Sequence, residues 1–345
     1  MAASGLQGRR LHARALAAGQ LLRGDHYGEG RQVSVRRALF LFTLDIHGRS
    51  NLVAELAACL DELAHIGIRG TFFLPATLLN ESGITAIFKR LVDEGHQLAC
   101  HGLLHREPEN FASDPLEVQI RNLKQAKAMI EAAIDVEVTA FRAPSFILSA
   151  ETIVALEACG YKADVSVNSQ RLSLISSQVG NFRWLTAPRW PYHPSRSNPY
   201  ARGDLKLWEI PVTAFVLPFI STMHQALGLR FTRLFAGAMI QEAKALNHPI
   251  VYMAHPEEFY PSDYVRPRTY HFGRSAETEG LGWRLFVPKG NAGFRIRWLL
   301  YERDEHKIHR DTMEVVRFLA KRRDVEFVTV DEYLTRLEGG MASRQ

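Results

Sequence analysis

The sequence has few cysteines, no long hydrophobic run and no excess of either charge over most of its length. Its three cysteines lie far apart and form no CxxC pair, which excludes a disulfide-stapled scaffold and favours a reducing compartment. The most apolar stretch, residues 210–220, contains two prolines and is shorter than the roughly 20 residues that a membrane-spanning helix needs. We therefore expect a soluble, intracellular protein.

The positive charge of the chain is concentrated at its N-terminus. The 345 residues include 42 basic and 37 acidic side chains, a net charge of +5. Residues 1–37 hold seven arginines and two acidic residues, so this segment accounts for the whole excess. The balanced remainder indicates that the protein does not bind nucleic acid. We predict that this segment is a basic, poorly ordered arm. Because it lacks the apolar core of a secretory signal, we predict a cytoplasmic location.

From Ala38 onward, short apolar runs alternate with amphipathic helical patterns. The first run, residues 38–46, is almost entirely apolar, as in a strand that is buried on both faces. A helical pattern follows, with Asn51 in position to cap its start and Gly67 in position to end it. The alternation continues through predicted strands at residues 138–142 and 161–165 and a predicted helix at 231–246 to a last predicted strand at 325–330. It predicts an α/β protein with a parallel sheet, open or closed into a barrel.

This alternation defines the predicted domain organisation. We expect one domain over residues 38–338, preceded by the arm at 1–37 and followed by a tail at 339–345. Within the domain, residues 170–204 and 256–300 are rich in proline, glycine, arginine and aromatic residues and have no sustained period. Long loops on a regular scaffold frequently carry function, so we expect these two insertions to cover the substrate site.

Polar and titratable side chains recur where the predicted strands end. Because the carboxyl ends of parallel strands lie on one rim, residues that are distant in sequence can converge there on a single site. The residues in question are Asp45, His47, His101, His105, Arg142, Asp164 and His255.

Two pairs among these residues have a spacing that suits a metal site. His101 and His105 are four residues apart, which on a helical turn sets both imidazoles on one side within reach of one ion. Asp45 and His47 share a strand face if the extended geometry continues, so one could bind a metal while the other acts on water. The alternatives are a surface histidine pair and a carboxylate that caps a turn before Gly48.

Arg142 and His255 are interpreted from their neighbours. Pro144 holds the residue before it in extended geometry and so fixes the end of the strand that carries Arg142. A guanidinium there can hold a carboxylate in its ionised form, and the alternative is a solvated surface arginine. His255 follows the apolar run 251–254, so it is either a general acid or a hydrogen-bonded structural residue.

Several short segments occur in a consistent order along the chain. They are Thr43-Leu44-Asp45, Arg69-Gly70-Thr71-Phe72-Phe73, Glu94-Gly95-His96 leading to His101-Gly102-Leu103-Leu104-His105, Phe141-Arg142-Ala143-Pro144-Ser145-Phe146, Gly160-Tyr161-Lys162-Ala163-Asp164 and Met253-Ala254-His255. Together these segments resemble the motifs of the NodB-homology polysaccharide deacetylases, carbohydrate esterase family 4. The resemblance extends from about Ala38 to Val330.

The resemblance implies a fold and a reaction. The fold is a distorted (β/α) barrel of the NodB-homology deacetylase type with long loops over the active-site face. The reaction is the metal-dependent hydrolysis of an N-acyl group, most often N-acetyl, on an amino sugar. The implied roles are catalytic base for Asp45, orientation of that base for Arg142, general acid for His255, tuning of the acid for Asp164, and metal ligation for His101 and His105.

The chain departs from the family at one position of the implied site. The family usually has a second acidic residue beside the base, whereas this sequence reads Asp45-Ile46-His47-Gly48. His47 can replace that carboxylate as third ligand, giving a site of three neutral histidines that suits Zn²⁺, with Ni²⁺ and Co²⁺ as alternatives. The same substitution leaves open an inactive, carbohydrate-binding relative.

The substrate is less well defined by the sequence. Without a secretory signal, we expect an intracellular N-acylated amino sugar, such as a lipid-linked sugar, a nucleotide sugar or a glycosylated small molecule. The arginine-rich arm, with Trp208, Phe215, Phe219 and Phe231, could lie against an anionic membrane, and the alternative is an ordinary core with a frayed arm. The alternative function is that of an amidohydrolase or deformylase that acts on a non-sugar amide or a cyclic ureide.

Overall fold

The structure of the protein, a computed structural model, describes most of the chain from Arg36 onward. Nearly all of the predicted arm at 1–37, residues 173–181 of the first predicted loop insertion and most of the second lie outside the described residues. The described residues are 36–48, 51–105, 108–172, 182–261 and 304–342.

Strands and helices alternate through the described residues, as predicted. The strands are β1 (Ala38–Asp45), β2 (Thr71–Leu74), β3 (Gln97–Cys100), β4 (Ala140–Phe141), β5 (Ala163–Asp164), β6 (Pro194–Ser195), β7 (Asn198–Arg202), β8 (Trp208–Glu209), β9 (Ala214–Phe215), β10 (Leu217–Pro218), β11 (Ile250–Ala254) and β12 (Val325–Val328). The helices are α1 (Leu52–Ile66), α2 (Ile84–Asp93), α3 (Leu116–Ile134), α4 (Ala150–Ala158), α5 (Arg183–Thr186), α6 (Thr222–Leu246), α7 (Glu305–Ala320) and α8 (Val330–Ala342).

Strand β1 is an interior strand of a parallel sheet and is paired on both edges. β11 pairs with one edge of β1. On the other edge, β2 pairs with the C-terminal half of β1 and β12 with its N-terminal half. All but one of the residues of β1 are fully buried, which explains why this strand has an almost continuous apolar sequence rather than an alternating one.

The sheet continues through parallel pairs from β2 to β3, β4, β5 and β8. The chain between β8 and α6 then bridges toward β11: Val212 donates its N–H to the carbonyl of Val167 at 2.9 Å, and Thr213 donates to that of Val251 at 3.1 Å. Ser221 adds a third bond, from its N–H to the carbonyl of Met253 at 2.8 Å. The result is the predicted distorted (β/α) barrel, which confirms the fold class.

Helix α1 shows how local sequence determines an element of this fold. Its buried side chains, among them Leu56, Leu60 and Leu63, recur at helical spacing and face the sheet. It ends at Gly67, which adopts a left-handed conformation with φ 76° and donates its N–H to the carbonyl of Leu63. Asn51 occupies the predicted N-cap position, but its side chain makes no capping hydrogen bond.

Several predicted boundaries differ from those in the structure. The predicted strands at 138–142 and 161–165 are reduced to the two-residue strands β4 and β5. The predicted helix at 231–246 begins earlier, at the start of α6, and is interrupted by the left-handed Gly228. The last predicted strand ends before residue 330, where the unpredicted helix α8 begins. The first predicted loop insertion contains the short helix α5 and the antiparallel hairpin β6–β7.

The aromatic residues predicted to contact a membrane do not share one environment. Phe219 is fully buried and Trp208 is partly buried, whereas Phe215 and Phe231 are 55% and 40% exposed. Among the described residues, the helices are too short or too polar to cross a membrane. These four residues therefore do not form the single exposed surface that the sequence suggested.

Candidate active site and metal centre

The strand ends bring most of the predicted site residues to one rim of the barrel. Asp45 is the last residue of β1, His101 follows β3 directly, Arg142 follows β4 and His255 follows β11. His47 lies two residues beyond the end of β1. All these strands run parallel, so their carboxyl ends meet at the same edge.

Three histidines form a cluster at this rim. The candidate ligand atoms of His47, His101 and His105 all lie within 4.8 Å of one another. The ring centroids of His47 and His105 are 4.7 Å apart, and those of His101 and His105 are 4.8 Å apart. His101 is buried and the other two are partly buried. The structure thus brings together the three residues predicted as metal ligands.

The segment between the last two histidines is a loop held by a buried carboxylate, and not the helical turn assumed from their spacing. Glu109 accepts the N–H groups of Leu103, Leu104 and His105 at 2.9, 3.0 and 3.2 Å. Gly102 has φ 86°, and a Cβ at this position would lie 2.7 Å from Glu109 Oε2, so the loop requires glycine here. Sequence reasoning missed Glu109, because only the folded loop shows which amides it binds.

The chemistry of the three rings fits a divalent metal ion. His101 Nδ1 lies 2.7 Å from the carbonyl oxygen of Arg142, the type of outer hydrogen bond that orients a metal-binding histidine through its other nitrogen. His105 Nε2 is buried and has no hydrogen-bond partner among the described residues, which is costly unless a ligand satisfies it. Burial, followed by the nearby His101, lowers the pKa of His105 to about 3, so its ring stays in the neutral form that binds metals.

Asp45 is paired with a buried arginine. Arg142 Nη1 donates to Asp45 Oδ1 at 2.6 Å, and the Arg142 side chain is completely buried. This burial excludes the alternative of a solvated surface arginine. Burial by itself raises the pKa of Asp45, but the charges of Arg142, His101 and His255 more than offset it and hold that pKa below its ordinary value. Asp45 is therefore an ionised carboxylate at the rim.

Three further contacts hold the guanidinium of Arg142 in place. It donates from Nη2 to Thr43 Oγ1 at 3.0 Å and from Nε to the carbonyl of Val165 at 2.9 Å. The Thr43 hydroxyl in turn donates to the carbonyl of Tyr252 at 2.7 Å, and the ring of Phe73 lies 4.3 Å from the guanidinium carbon. Sequence reasoning did not assign Thr43 a role, although its place two residues before Asp45 puts both on one face of β1.

His255 is in contact with a carboxylate that sequence reasoning missed. Its Nδ1 lies 3.4 Å from Glu258 Oε1, and its ring centroid is 4.9 Å from that of His47. Burial lowers the pKa of His255, but the charges of Glu257, Glu258 and Asp45 outweigh this effect and raise it above its ordinary value. A signal for Glu258 was available in the sequence, because a glutamate three residues after the start of a helical turn is a capping-box position.

The structure gives Asp164 partners other than His255. Its Oδ1 accepts a hydrogen bond from Ser166 Oγ, and Ser166 Oγ accepts the N–H of Ala143 at 2.8 Å. In the sheet, Asp164 on β5 pairs directly with Glu209 on β8. The carboxylate hydrogen-bonded to His255 is Glu258. Asp164 is instead linked through Ser166 to the backbone of Ala143, the residue after Arg142.

Asp164 and Glu209 form a buried carboxyl pair. Asp164 Oδ2 and Glu209 Oε2 are buried and have no other partner, while Glu209 Oε1 accepts the N–H of Val167 at 2.9 Å. Burial raises the pKa of Asp164 to about 6, and burial together with the charge of Asp164 raises that of Glu209. Two neighbouring ionised carboxylates repel each other, which favours a proton on the pair.

Replacing Glu209 with glutamine is expected to change the pH dependence of stability. The pKa of Glu209 is raised well above its ordinary value, so the folded chain retains a proton that an unfolded glutamate releases near pH 4, and this site lowers the free energy of unfolding as the pH rises above about 4. The slope is about 1.4 kcal/mol per pH unit for one proton. Glu209→Gln should remove this slope, because the amide has no proton that titrates in this range and can still donate a hydrogen bond to Asp164.

Urea unfolding of the wild type and Glu209→Gln at several pH values measures this slope. Glu81→Gln, at an exposed position, is the matched control and should keep the wild-type slope. An unchanged slope in Glu209→Gln would show that the pair holds no extra proton.

Comparison with known proteins agrees with the motifs and the fold. Residues 40–163 match the family model described as polysaccharide deacetylase. A crystal structure from Mycobacterium smegmatis, provisionally described as a polysaccharide deacetylase, superposes with a TM-score of 0.56 at 14% identity, over 90% of this chain and 93% of that one. The resemblance to the NodB-homology deacetylases, a family of hydrolases, is thereby confirmed.

The same barrel occurs with a different named activity. A 4-alpha-glucanotransferase from Thermococcus litoralis superposes with a TM-score of 0.53 at 13% identity, over 87% of this chain and 40% of that one. At such low identity the structural similarity shows the fold alone. The reaction must therefore be argued from the residues at the rim.

Proposed function

We propose, on the premise that this chain is a relative of the NodB-homology polysaccharide deacetylases, that it hydrolyses the N-acetyl group of an amino sugar with the help of a divalent metal ion. The observation that carries the proposal is the convergence of three histidine rings with an ionised carboxylate and a further histidine at one rim of the barrel. These are the groups that metal-assisted amide hydrolysis requires.

His47, His101 and His105 would hold the ion through their ring nitrogens. The neutral three-nitrogen set suits Zn²⁺, with Co²⁺ or Ni²⁺ as alternatives. When bound there, such an ion polarises the amide carbonyl and stabilises the negative charge that develops on its oxygen. The presence of three donors within 4.8 Å of one another argues against a metal-free, purely carbohydrate-binding relative.

The side chains around this centre supply the proton transfers. Asp45, kept ionised by Arg142, takes the proton of the attacking water as general base. Arg142 sets the orientation of that carboxylate, because its own position is fixed by Thr43 and Val165. His255 donates a proton to the nitrogen of the departing amine, so that the sugar leaves as a neutral amine.

The substrate class rests on the family and on the acyl group that its members remove. We therefore propose an N-acetylated amino sugar, in a saccharide, a lipid-linked sugar or a nucleotide sugar. The alternative, a non-sugar amide or cyclic ureide, uses the same chemistry and is distinguished by the product.

Acetate release from a panel of substrates tests this function. Purified full-length protein loaded with Zn²⁺ is incubated with N-acetylglucosamine oligosaccharides, an N-formyl amino sugar and a cyclic ureide. We expect one acetate and one free amine per turnover from the oligosaccharides, with no product after chelation and recovery after metal is added back. Ring opening of the ureide alone would contradict the proposal, as would an inert protein with one bound metal per chain.

A further inference from the structure

We propose that Glu258 is the positioning residue of His255, the role that the resemblance implied for Asp164. It rests on the proposed function, since it concerns the general acid of that reaction. Glu258 orients the imidazole and keeps a hydrogen on Nδ1, so that the proton delivered to the leaving amine comes from Nε2. The assignment depends on contacts around Glu258, and none of these contacts includes a candidate metal ligand.

Glu258 holds His255 at two points. Its Oε1 lies 3.4 Å from the ring nitrogen Nδ1, and its Oε2 lies 3.5 Å from the backbone N of the same residue. Both residues belong to a single 3₁₀ turn that starts directly after β11, with His255 at the cap and Pro256 at its first position. The ring and the backbone of His255 are therefore oriented by one carboxylate.

Glu258 is itself fixed by two donors from the start of α6. Ser221 Oγ donates to Glu258 Oε1 at 2.7 Å, and Gln225 Nε2 donates to the same oxygen at 3.2 Å. Ser221 is fully buried, and its N–H is bound to the carbonyl of Met253 on β11. The carboxylate is 2% exposed, so it is oriented by protein groups and not by solvent.

This arrangement has a chemical consequence for a general acid. A histidine that gives up a proton from Nε2 must keep its other proton on Nδ1, and a carboxylate beside Nδ1 stabilises that form. If the carboxylate is replaced, the ring can rotate or change tautomer and present the wrong nitrogen. The resulting decrease in kcat should then depend on how much the leaving group needs a proton.

Two substrates with different leaving groups test the proposal. N-acetylglucosamine oligosaccharide releases an amine that must be protonated, whereas p-nitrophenyl acetate releases a phenolate that leaves without a proton. For Glu258→Gln we expect kcat on the oligosaccharide to fall about 10- to 100-fold, with KM within about twofold of the wild type. On p-nitrophenyl acetate we expect kcat to remain within about threefold.

The accompanying variants separate positioning from other effects. His255→Ala should show the same dependence on leaving group, and the double variant should lose little beyond His255→Ala alone. Glu257→Gln removes the adjacent buried carboxylate of the same turn and should show a smaller loss on the oligosaccharide than Glu258→Gln. Ser221→Ala, which removes one donor to Glu258, should show a weaker form of the Glu258→Gln pattern, and it replaces that variant if Glu258→Gln does not fold.

The outcomes distinguish this inference from the proposed function. Equal losses on both substrates, or a Glu257→Gln variant that matches Glu258→Gln, would overturn the positioning role. A wild type that releases no acetate from the oligosaccharide would instead contradict the proposed function. Metal content, measured for every variant, should stay at the wild-type value.

Discussion

Asp45→Asn is expected to lower kcat for N-acetyl hydrolysis by about a thousandfold while the protein keeps its metal. Asparagine has nearly the size of aspartate and can still accept the hydrogen bond that Arg142 donates at 2.6 Å, but it cannot take a proton from water. The expected loss therefore falls on the chemical step, with KM little changed. Steady-state kinetics and metal analysis of the purified variant measure both quantities.

The same substitution should lower stability, because it leaves a charged guanidinium buried beside a neutral amide. Breaking one side of a buried ion pair costs about 3–5 kcal/mol, so the activity must be measured well below the melting temperature of the variant. Asp61→Asn is the matched control. Asp61 pairs with Arg90 at the surface, where an ion pair contributes less than about 1 kcal/mol. Wild-type turnover by Asp45→Asn would show that Asp45 is not the base.

The parts of the fold that sequence predicted well are those with strong local patterns. β1 has a continuous apolar run because both of its faces are buried, and α1 has helical spacing with a glycine that ends it. β4 and β5 were predicted too long, because a two-residue pair is defined by its neighbours in space and leaves no period in the sequence. Helix α8 was missed because the apolar run at 325–330 resembled one continuous strand.

The candidate site follows the same division. His47, His101 and His105 could be predicted, because parallel strands bring their carboxyl ends to one rim and the ligand types are distinctive. Glu109 could not, since its role arises from a loop conformation that only the folded chain defines. For Glu258 the sequence offered only the capping-box spacing, which does not show that its side chain contacts the His255 ring.

Asp164 shows a third case, in which the position was predicted well and the partner was not. It does lie at a strand end, but its carboxyl faces Glu209 on β8, 45 residues further along the chain. Pairing between such short and distant strands could not be predicted from the sequence, so the contact with Glu209 was missed. The family resemblance supplied a different partner, His255, which lies beside Glu258 in this chain.

His105→Ala is expected to remove the metal and, with it, at least about a thousandfold of the rate, because a metal ion contributes several kcal/mol to such a transition state. Three ring nitrogens would hold the ion, and loss of one leaves two donors from the chain. The variant should bind less than about a tenth of the Zn²⁺ that the wild type retains after dialysis. Metal analysis by mass spectrometry and acetate release measure the two effects on the same preparation.

Three further variants, His65→Ala, His47→Asp and His47→Ala, show whether this result is specific to the histidine cluster. His65→Ala replaces an exposed histidine of α1 and should keep both the metal and the activity. His47→Asp introduces the acidic ligand that is usual in the family, so it should retain Zn²⁺ if position 47 faces the ion. A His105→Ala protein that keeps one tightly bound metal would refute the three-histidine centre. Loss of metal from His105→Ala together with full binding by His47→Ala would reduce the centre to His101 and His105, with position 47 outside it.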